Sequence, residues 1–242
     1  MTSWQNKEKK DRIIVALDLP ATDAIAVAEN LVGHAKWLKV GMTLYYETGP
    51  VIIRQLHKLG FKVFVDLKLH DIPHQVNGAA YSLAKAGADM ISVHTSGGKE
   101  MLVAAKDGAS KILTENGEDF SAPIVCGISV LTSLGDAALH SIGIQKTPLE
   151  QVKNLAKLAK DAGLEALVCS ALEASIVREI LGKNALIVVP GVRPKGVNSD
   201  DQSRVATPKE AFENGASHVV IGRPIVKIGD PAQNFDEISR TL

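Results

Sequence analysis

The chain is predicted to fold as a single-domain α/β protein, a closed (β/α)8 barrel of the TIM type over residues 1–242. Three observations carry this prediction. Eight short apolar, β-branched runs alternate with longer amphipathic segments along nearly the whole chain. The short runs are continuously hydrophobic rather than alternating, as parallel strands covered on both faces are. Eight such units in about 250 residues is the arithmetic of a closed barrel, which their regularity favours over a doubly wound open sheet.

Taken in order, residues 1–11 read as a polar N-terminal extension. The first strand is expected at "RIIVALDL" (12–19), the second at "WLKVGM" (37–42), the third at "KVFVDLKL" (62–69) and the fourth at "DMISVHT" (89–95). "PIVCGISV" (123–130), "EALVCS" (165–170), "ALIVVPG" (185–191) and "HVVIGRPI" (218–225) complete the set. The spacing predicts a helix over "TPLEQVKNLAKLAKDAG" (147–163), with Thr147 as N-cap, Pro148 in the first turn and Gly163 as the stop. "AGAD", "AGLE" and "NGAS" mark helix ends that lead straight into strands. No linker or composition shift divides the chain.

Hydrophobic residues make up 45%, enough for a sizeable core. Lys plus Arg equals Asp plus Glu, 27 against 27, so bulk binding to nucleic acid or an anionic membrane is not expected and any anion site must be local. Cys126 and Cys169 sit in apolar runs and read as buried thiols. Two cysteines exclude a disulfide framework. "MTSWQNKEKKDR" lacks the apolar stretch of a secretion signal, and no run has the length to span a bilayer. A cytoplasmic protein is the expectation.

Barrels of this kind carry their reacting groups at the C-terminal ends of the strands and on the following loops. There the sequence offers Asp18, Lys39, Asp66, Lys68, Asp71, His94, Thr132, Arg193, Gly222 and Arg223. In "KVFVDLKLHD" (62–71) an apolar strand turns abruptly charged. Asp66 and Lys68 are two apart and face one way. Lys39 from the neighbouring strand is expected to join them, with Asp71 beyond, in an alternating array whose opposite charges hold one another ionised. Buried ion networks are weak justification in terms of stability, so four charges at the reacting end point to chemistry. His94 reads as a hydrogen-bonded neighbour of the site rather than a catalyst. His70 and His74 flank Pro73, which speaks against a metal site. The polar stretch "PGVRPKGVNSDDQSRVATP" (190–208) reads as a lid or binding loop. With "IGRPI" (221–225) it supplies the two loops where such barrels bind phosphate, and Arg223 offers a fork suited to phosphate oxygens.

"DLKLHDIP" resembles the signature of the orotidine 5′-phosphate decarboxylase family, and six further motifs of that family occur in order. They are "ALD" ending at Asp18, "KVG" from Lys39, "VLTS" around Thr132, "PGVRP", "DQ" at 201–202 and "GRPI". The resemblance covers about residues 12 to 235. It implies a cofactor-independent and metal-free conversion of orotidine monophosphate to UMP, in a homodimer. Lys68 is implied to donate the proton to C6, with Lys39 and Asp66 completing the array and Asp71 contributed across the dimer interface. Asp18 and Lys39 are implied to bind ribose hydroxyls, Thr132 to lie at the pyrimidine edge and Gln202 to bridge base and phosphate. Arg223 with Gly222 is implied to hold the phosphate, Arg193 to join that shell, and Ile72 and Gln75 to complete the substrate contacts. The chain departs from the family at "DIPHQV", where bacterial members often read "DIPNTV": His74 replaces an Asn, and Gln75 replaces the Thr that reaches the partner's ribose. Two other readings remain. A related sugar-phosphate lyase, such as a 3-keto-gulonate 6-phosphate decarboxylase, carries a metal-binding Glu where this chain has Lys39, and lysine there repels magnesium. An inactive phosphate-binding barrel fits poorly with four intact charges. A bifunctional UMP synthase needs a further domain for which the chain has no room.

Overall fold

The computed structural model describes residues 4, 7–116, 121–193, 206–227 and 229–242. Eight parallel strands close in sequence order: β1 (Ile13–Ala16), β2 (Trp37–Gly41), β3 (Lys62–Leu69), β4 (Met90–His94), β5 (Ile124–Ile128), β6 (Ala166–Val168), β7 (Leu186–Val189) and β8 (His218–Ile221). Register runs unbroken round the closure, where Ile13 pairs with Val219 and Val15 with Ile221. The helices α1 (Ala21–Asn30), α2 (Met42–Thr48), α3 (Val51–Lys58), α4 (Pro73–Ala86) and α5 (Lys99–Asn116) occupy the first half of the chain. In the second half lie α6 (Asp136–Ser141), α7 (Pro148–Asp161), α8 (Ala174–Leu181), α9 (Pro208–Glu213), α10 (Arg223–Val226) and α11 (Pro231–Ser239). The expected barrel is the one observed.

The core has two layers because successive strand side chains point to opposite faces. Outward-facing Val63, Val65, Ile91, Val93, Ile187 and Val189 pack under the helices in one large cluster. Inward-facing Ile14, Trp37, Phe64, Met90, Cys126 and Val188 fill the barrel as a second. Both cysteines are buried free thiols, as read from the sequence. At the N-terminal end Arg12 donates to the carbonyls of Ala216 and Ser217, both at 2.7 Å. Its guanidinium lies 5.0 Å from the Trp4 ring and that of Arg178 lies 4.7 Å from the same ring, so the polar N-terminal stretch contributes one packed aromatic.

Every strand but β3 falls short of its apolar run, β1 and β8 by the most. β1 ends at Ala16 rather than residue 19, its pairing with β2 closing on the bond from the Leu17 N–H to the Lys39 carbonyl at 3.0 Å. β8 ends at Ile221 rather than residue 225: Pro224 has no N–H for a ladder, and Arg223 instead starts α10. The helix after Thr147 is as read, with a capping box to Glu150. No helix among the described residues is long and apolar enough to cross a membrane.

α4 and α5 pack closely because Gly108 leaves space for the other backbone. A Cβ there would press on the Asn77 carbonyl oxygen and fall 2.9 Å from its carbon and 3.0 Å from Cα. The Asn77 side chain bridges the same contact, donating to the Ala104 carbonyl at 2.9 Å and accepting from Lys111 Nζ at 2.7 Å. Gly108→Ala is therefore expected to force the two helices apart and to lower stability by about 1–3 kcal/mol. Thermal denaturation should show a melting point several degrees lower; an unchanged melting point would mean that the helix pair has slack.

Candidate active site

Three adjacent strands turn polar toward their C-terminal ends. Lys39 follows Trp37 by two residues on β2, Asp66 follows Phe64 by two on β3, and Ser92 follows Met90 by two on β4. Each therefore points inward, one step above the apolar fill. The three groups meet. Lys39 Nζ donates to Asp18 Oδ1 at 2.9 Å and stands 3.8 Å from Asp66 Oδ2. Lys68 Nζ donates to Asp66 Oδ2 at 2.8 Å. Ser92 Oγ donates to Asp66 Oδ1 at 2.7 Å and accepts the Lys68 backbone N–H at 2.8 Å.

The β3–β4 ladder is irregular at this point. Val65 pairs with Ile91 and Leu69 with Val93, so Asp66, Leu67 and Lys68 face Ser92 alone. Lys68 has φ 53°, the one positive φ outside glycine among the described residues. A long side chain held in that region costs of order 1–3 kcal/mol, which the surrounding structure must impose. Gly41 has a local reason as well: a Cβ there would lie 2.6 Å from Asp18 Oδ1 and 3.0 Å from Lys39 Nζ. Any other residue would displace that pair.

Burial on its own would raise the Asp66 carboxyl. Lys39, Lys68 and the hydrogen bonds from Lys68 and Ser92 outweigh it, and the group is held below its ordinary value. Asp66 is thus an ionised acid inside a barrel.

The array opens into a cavity of about 480 Å³. Its wall includes apolar Phe64, Ile128 and Val188, and Thr132 with Ser133 on the loop after β5. Arg193, Gly222, Arg223 and Lys227 line it from the segments after β7 and β8. Arg193 is buried, its N–H bonded to the Ala206 carbonyl at 2.9 Å across a bridge between Val192 and Ala206 that joins the two feet of the loop. Five cations (Lys39, Lys68, Arg193, Arg223 and Lys227) face two acids (Asp18 and Asp66) among the described lining residues. A chain with no net charge concentrates positive charge here.

Of the residues singled out in the sequence, Asp18, Lys39, Asp66, Lys68, Thr132, Arg193, Gly222 and Arg223 all come together. Asp71 does not extend the array within its own chain. It is exposed, accepts the Ile72 N–H at 2.7 Å and makes no ion pair among the described residues, because Pro73 starts α4 and turns the chain outward. Ile72, 63% exposed, lies beside it on a second, open cavity, and Gln75 is exposed on α4. Gln202 and most of the 190–208 loop lie outside the described residues. His94 differs from expectation too. It is half-buried with its ring 5.2 Å from that of His70 and makes no hydrogen bond among the described residues. Burial, with His70 and Lys68 nearby, lowers its pKa.

Sequence reasoning missed Ser92, Gly41, Ser133 and Lys227. Ser92 had a readable signal, a small polar residue inside "MISVH" two places before His94 and so on the inner face. Gly41 and Ser133 lie within quoted motifs but had no role assigned, and Lys227 carries no local signal.

Comparison with known proteins agrees with this geometry. The family model described as "Orotidine 5'-phosphate decarboxylase / HUMPS family" matches residues 11–238. The orotidine 5′-phosphate decarboxylase of Vibrio atlanticus is 43% identical over 232 residues, covering 96% of this chain and 98% of that protein. The enzyme of the same name from Dichelobacter nodosus is 43% identical over 231 residues, covering 95% and 98%. Among solved structures, the orotidine 5′-phosphate decarboxylase of Lactobacillus acidophilus superposes with a TM-score of 0.82 at 36% identity, covering 95% of this chain and 98% of that one. With the barrel, the buried charge array and the matched span all in accord, the chain belongs to the orotidine 5′-phosphate decarboxylase / HUMPS family.

Proposed function

We propose that the chain decarboxylates orotidine 5′-monophosphate to UMP and CO2, the last step of de novo pyrimidine nucleotide synthesis, in the cytoplasm and without metal or organic cofactor. The observation that carries the reading is the cavity's five-to-two excess of cations over acids, with Lys68 Nζ held 2.8 Å from a buried carboxylate. A nucleotide bearing both a phosphate and a carboxylate matches that excess. The named relatives support the same substrate.

The chemistry follows from the residue types. Breaking the bond from C6 to the carboxylate leaves its electron pair on C6, where no conjugated system accepts it. The Lys68 ammonium, fixed beforehand, stabilises that charge and passes a proton to C6; solvent then restores the proton to the amine. Asp66 keeps Lys68 placed, and its negative charge beside the departing carboxylate favours loss of CO2. Lys39 is held between Asp18 and Asp66, and with Asp18 it binds the ribose hydroxyls. Thr132 meets the pyrimidine edge. Arg223 and Gly222, with Arg193 in the same shell, take the phosphate three strands round the rim from Lys68. Phosphate binding so far from the reacting carbon contributes to placing it, and Gln202 joins base to phosphate. Lys39 also opposes a metal-assisted lyase reading, because a magnesium ion would meet its ammonium.

Asp71 belongs to a neighbouring subunit's site in this reading. Its support is the outward turn at Pro73, the exposed Ile72 beside it, the open cavity there, and the exposure of Gln75 on α4. A two-fold dimer makes the exchange reciprocal.

Lys68→Ala should lower turnover of orotidine monophosphate by orders of magnitude while the barrel persists by circular dichroism. Retention of more than about a tenth of wild-type turnover, a loss of only ~1.4 kcal/mol of barrier stabilisation, would remove Lys68 from the role. Mixing Lys68→Ala with Asp71→Ala subunits, each inactive alone, should restore roughly a quarter of wild-type activity. About half of the dimers are then mixed, and each has one intact site. No recovery under verified subunit exchange would mean that Asp71 serves its own subunit.

A further inference from the structure

Ser92 is fully buried at the centre of β4, and its hydroxyl bridges a backbone donor on one side and a carboxylate acceptor on the other. A backbone N–H only donates and an ionised carboxylate only accepts; a hydroxyl does both. The Lys68 N–H has lost its regular ladder position because three residues of β3 face one of β4. Left unpaired in a buried strand, it would weaken the bulge. Ser92 Oγ takes that N–H and directs its own proton to Asp66 Oδ1.

Among the other buried serines, Ser170 also bridges a backbone N–H, that of Leu172, to a carboxylate, that of Glu173, but away from the charge array, and Ser129 and Ser217 end on backbone carbonyls. Ser129 donates to the Val168 carbonyl, and Ser217 accepts the Ile187 N–H and donates to the Ala185 carbonyl. Those bonds tie strand to strand. The hydroxyl of Ser92 ends instead on the carboxylate that holds Lys68 Nζ, so one atom sets both ends of the Lys68 residue: its backbone directly and its ammonium through Asp66.

We propose that Ser92 is a positioning residue, whose hydroxyl holds the β3 bulge and thereby aims Lys68 and Asp66 together at the reacting carbon. The proposal rests on the decarboxylase reading for its kinetic consequence. Its structural content stands apart from that reading. Ser92 lies outside the cavity lining, so its removal should act on the chemical step rather than on holding the nucleotide.

The test compares Ser92→Ala with Ser92→Thr, which keeps a hydroxyl. Ser92→Ala should lose roughly tenfold or more in kcat, since misplacement on the scale of an ångström is felt at that level. Its affinity for UMP should change by less than about threefold. Ser92→Thr should recover most of the lost kcat. Should the alanine variant fail to fold, Ser92→Cys, similar in volume but a weak donor, should fold and show the same kcat loss. A crystal structure of the impaired variant should show Lys68 out of the left-handed region or its Nζ withdrawn from Asp66. The proposal is overturned by a Ser92→Ala enzyme within twofold of wild-type kcat, by equal losses in kcat and UMP affinity, or by Thr and Ala variants equally impaired. It is also overturned, whether or not the wild type turns over, if Lys68 keeps φ near 53° and its 2.8 Å contact without the hydroxyl. An inert wild type would sink the decarboxylase reading and leave that structural criterion to decide on Ser92.

Discussion

An ionised carboxylate inside a barrel survives only if its surroundings replace the water it has lost, and the upper barrel is arranged around that requirement at Asp66. With 11% of its side chain exposed, the group would have its pKa raised by burial alone. Two ammonium groups and a serine hydroxyl reverse the outcome. Each partner brings a demand of its own. Lys39 needs Asp18 on its other side, and Asp18 needs the absence of a side chain at Gly41. Lys68 reaches back to Asp66 only from a left-handed backbone in a bulged strand. The regular (β/α)8 scaffold tolerates these demands because the strands below are filled with apolar side chains and closed by unbroken register.

The array is hard to justify as a stabilising device. Replacing buried ion networks with apolar residues is often neutral or favourable, and this one adds backbone strain at Lys68. Its advantage is in charge placed beforehand. A carbanion forming beside a fixed ammonium requires little reorganisation, whereas water would have to turn its dipoles as the charge develops. The same argument suits the division round the rim: the charge array sits on β2 to β4, while the cations Arg193, Arg223 and Lys227 follow β7 and β8.

Much of this was legible in the sequence, and the exceptions have physical reasons. Continuous apolar runs identified all eight strands because burial on both faces writes an unbroken pattern. Asp66, Lys68 and Lys39 were visible because charge interrupts that pattern. Strand ends were overrun because hydrophobicity continues past the last ladder bond, as at Leu19 after β1, and Pro224 is what marks the true end of β8. Asp71 was expected in the array, but within one chain its place depends on where Pro73 sends the backbone. The bulge opposite Ser92 was invisible: "DLKL" reads as a regular strand, and nothing local announces that three residues will face one. Ser92 itself was overlooked since a buried serine usually serves a backbone carbonyl, as Ser129 does.

The account stands or falls on whether protein side chains alone supply the stabilising charge. The direct measurement is the ultraviolet loss of orotidine monophosphate in the presence of purified wild-type protein, before and after exhaustive chelation. Turnover that is substantial and unchanged by chelation is the result expected from a Lys39–Asp66–Lys68 array. Absence of turnover until a divalent metal is added would contradict it.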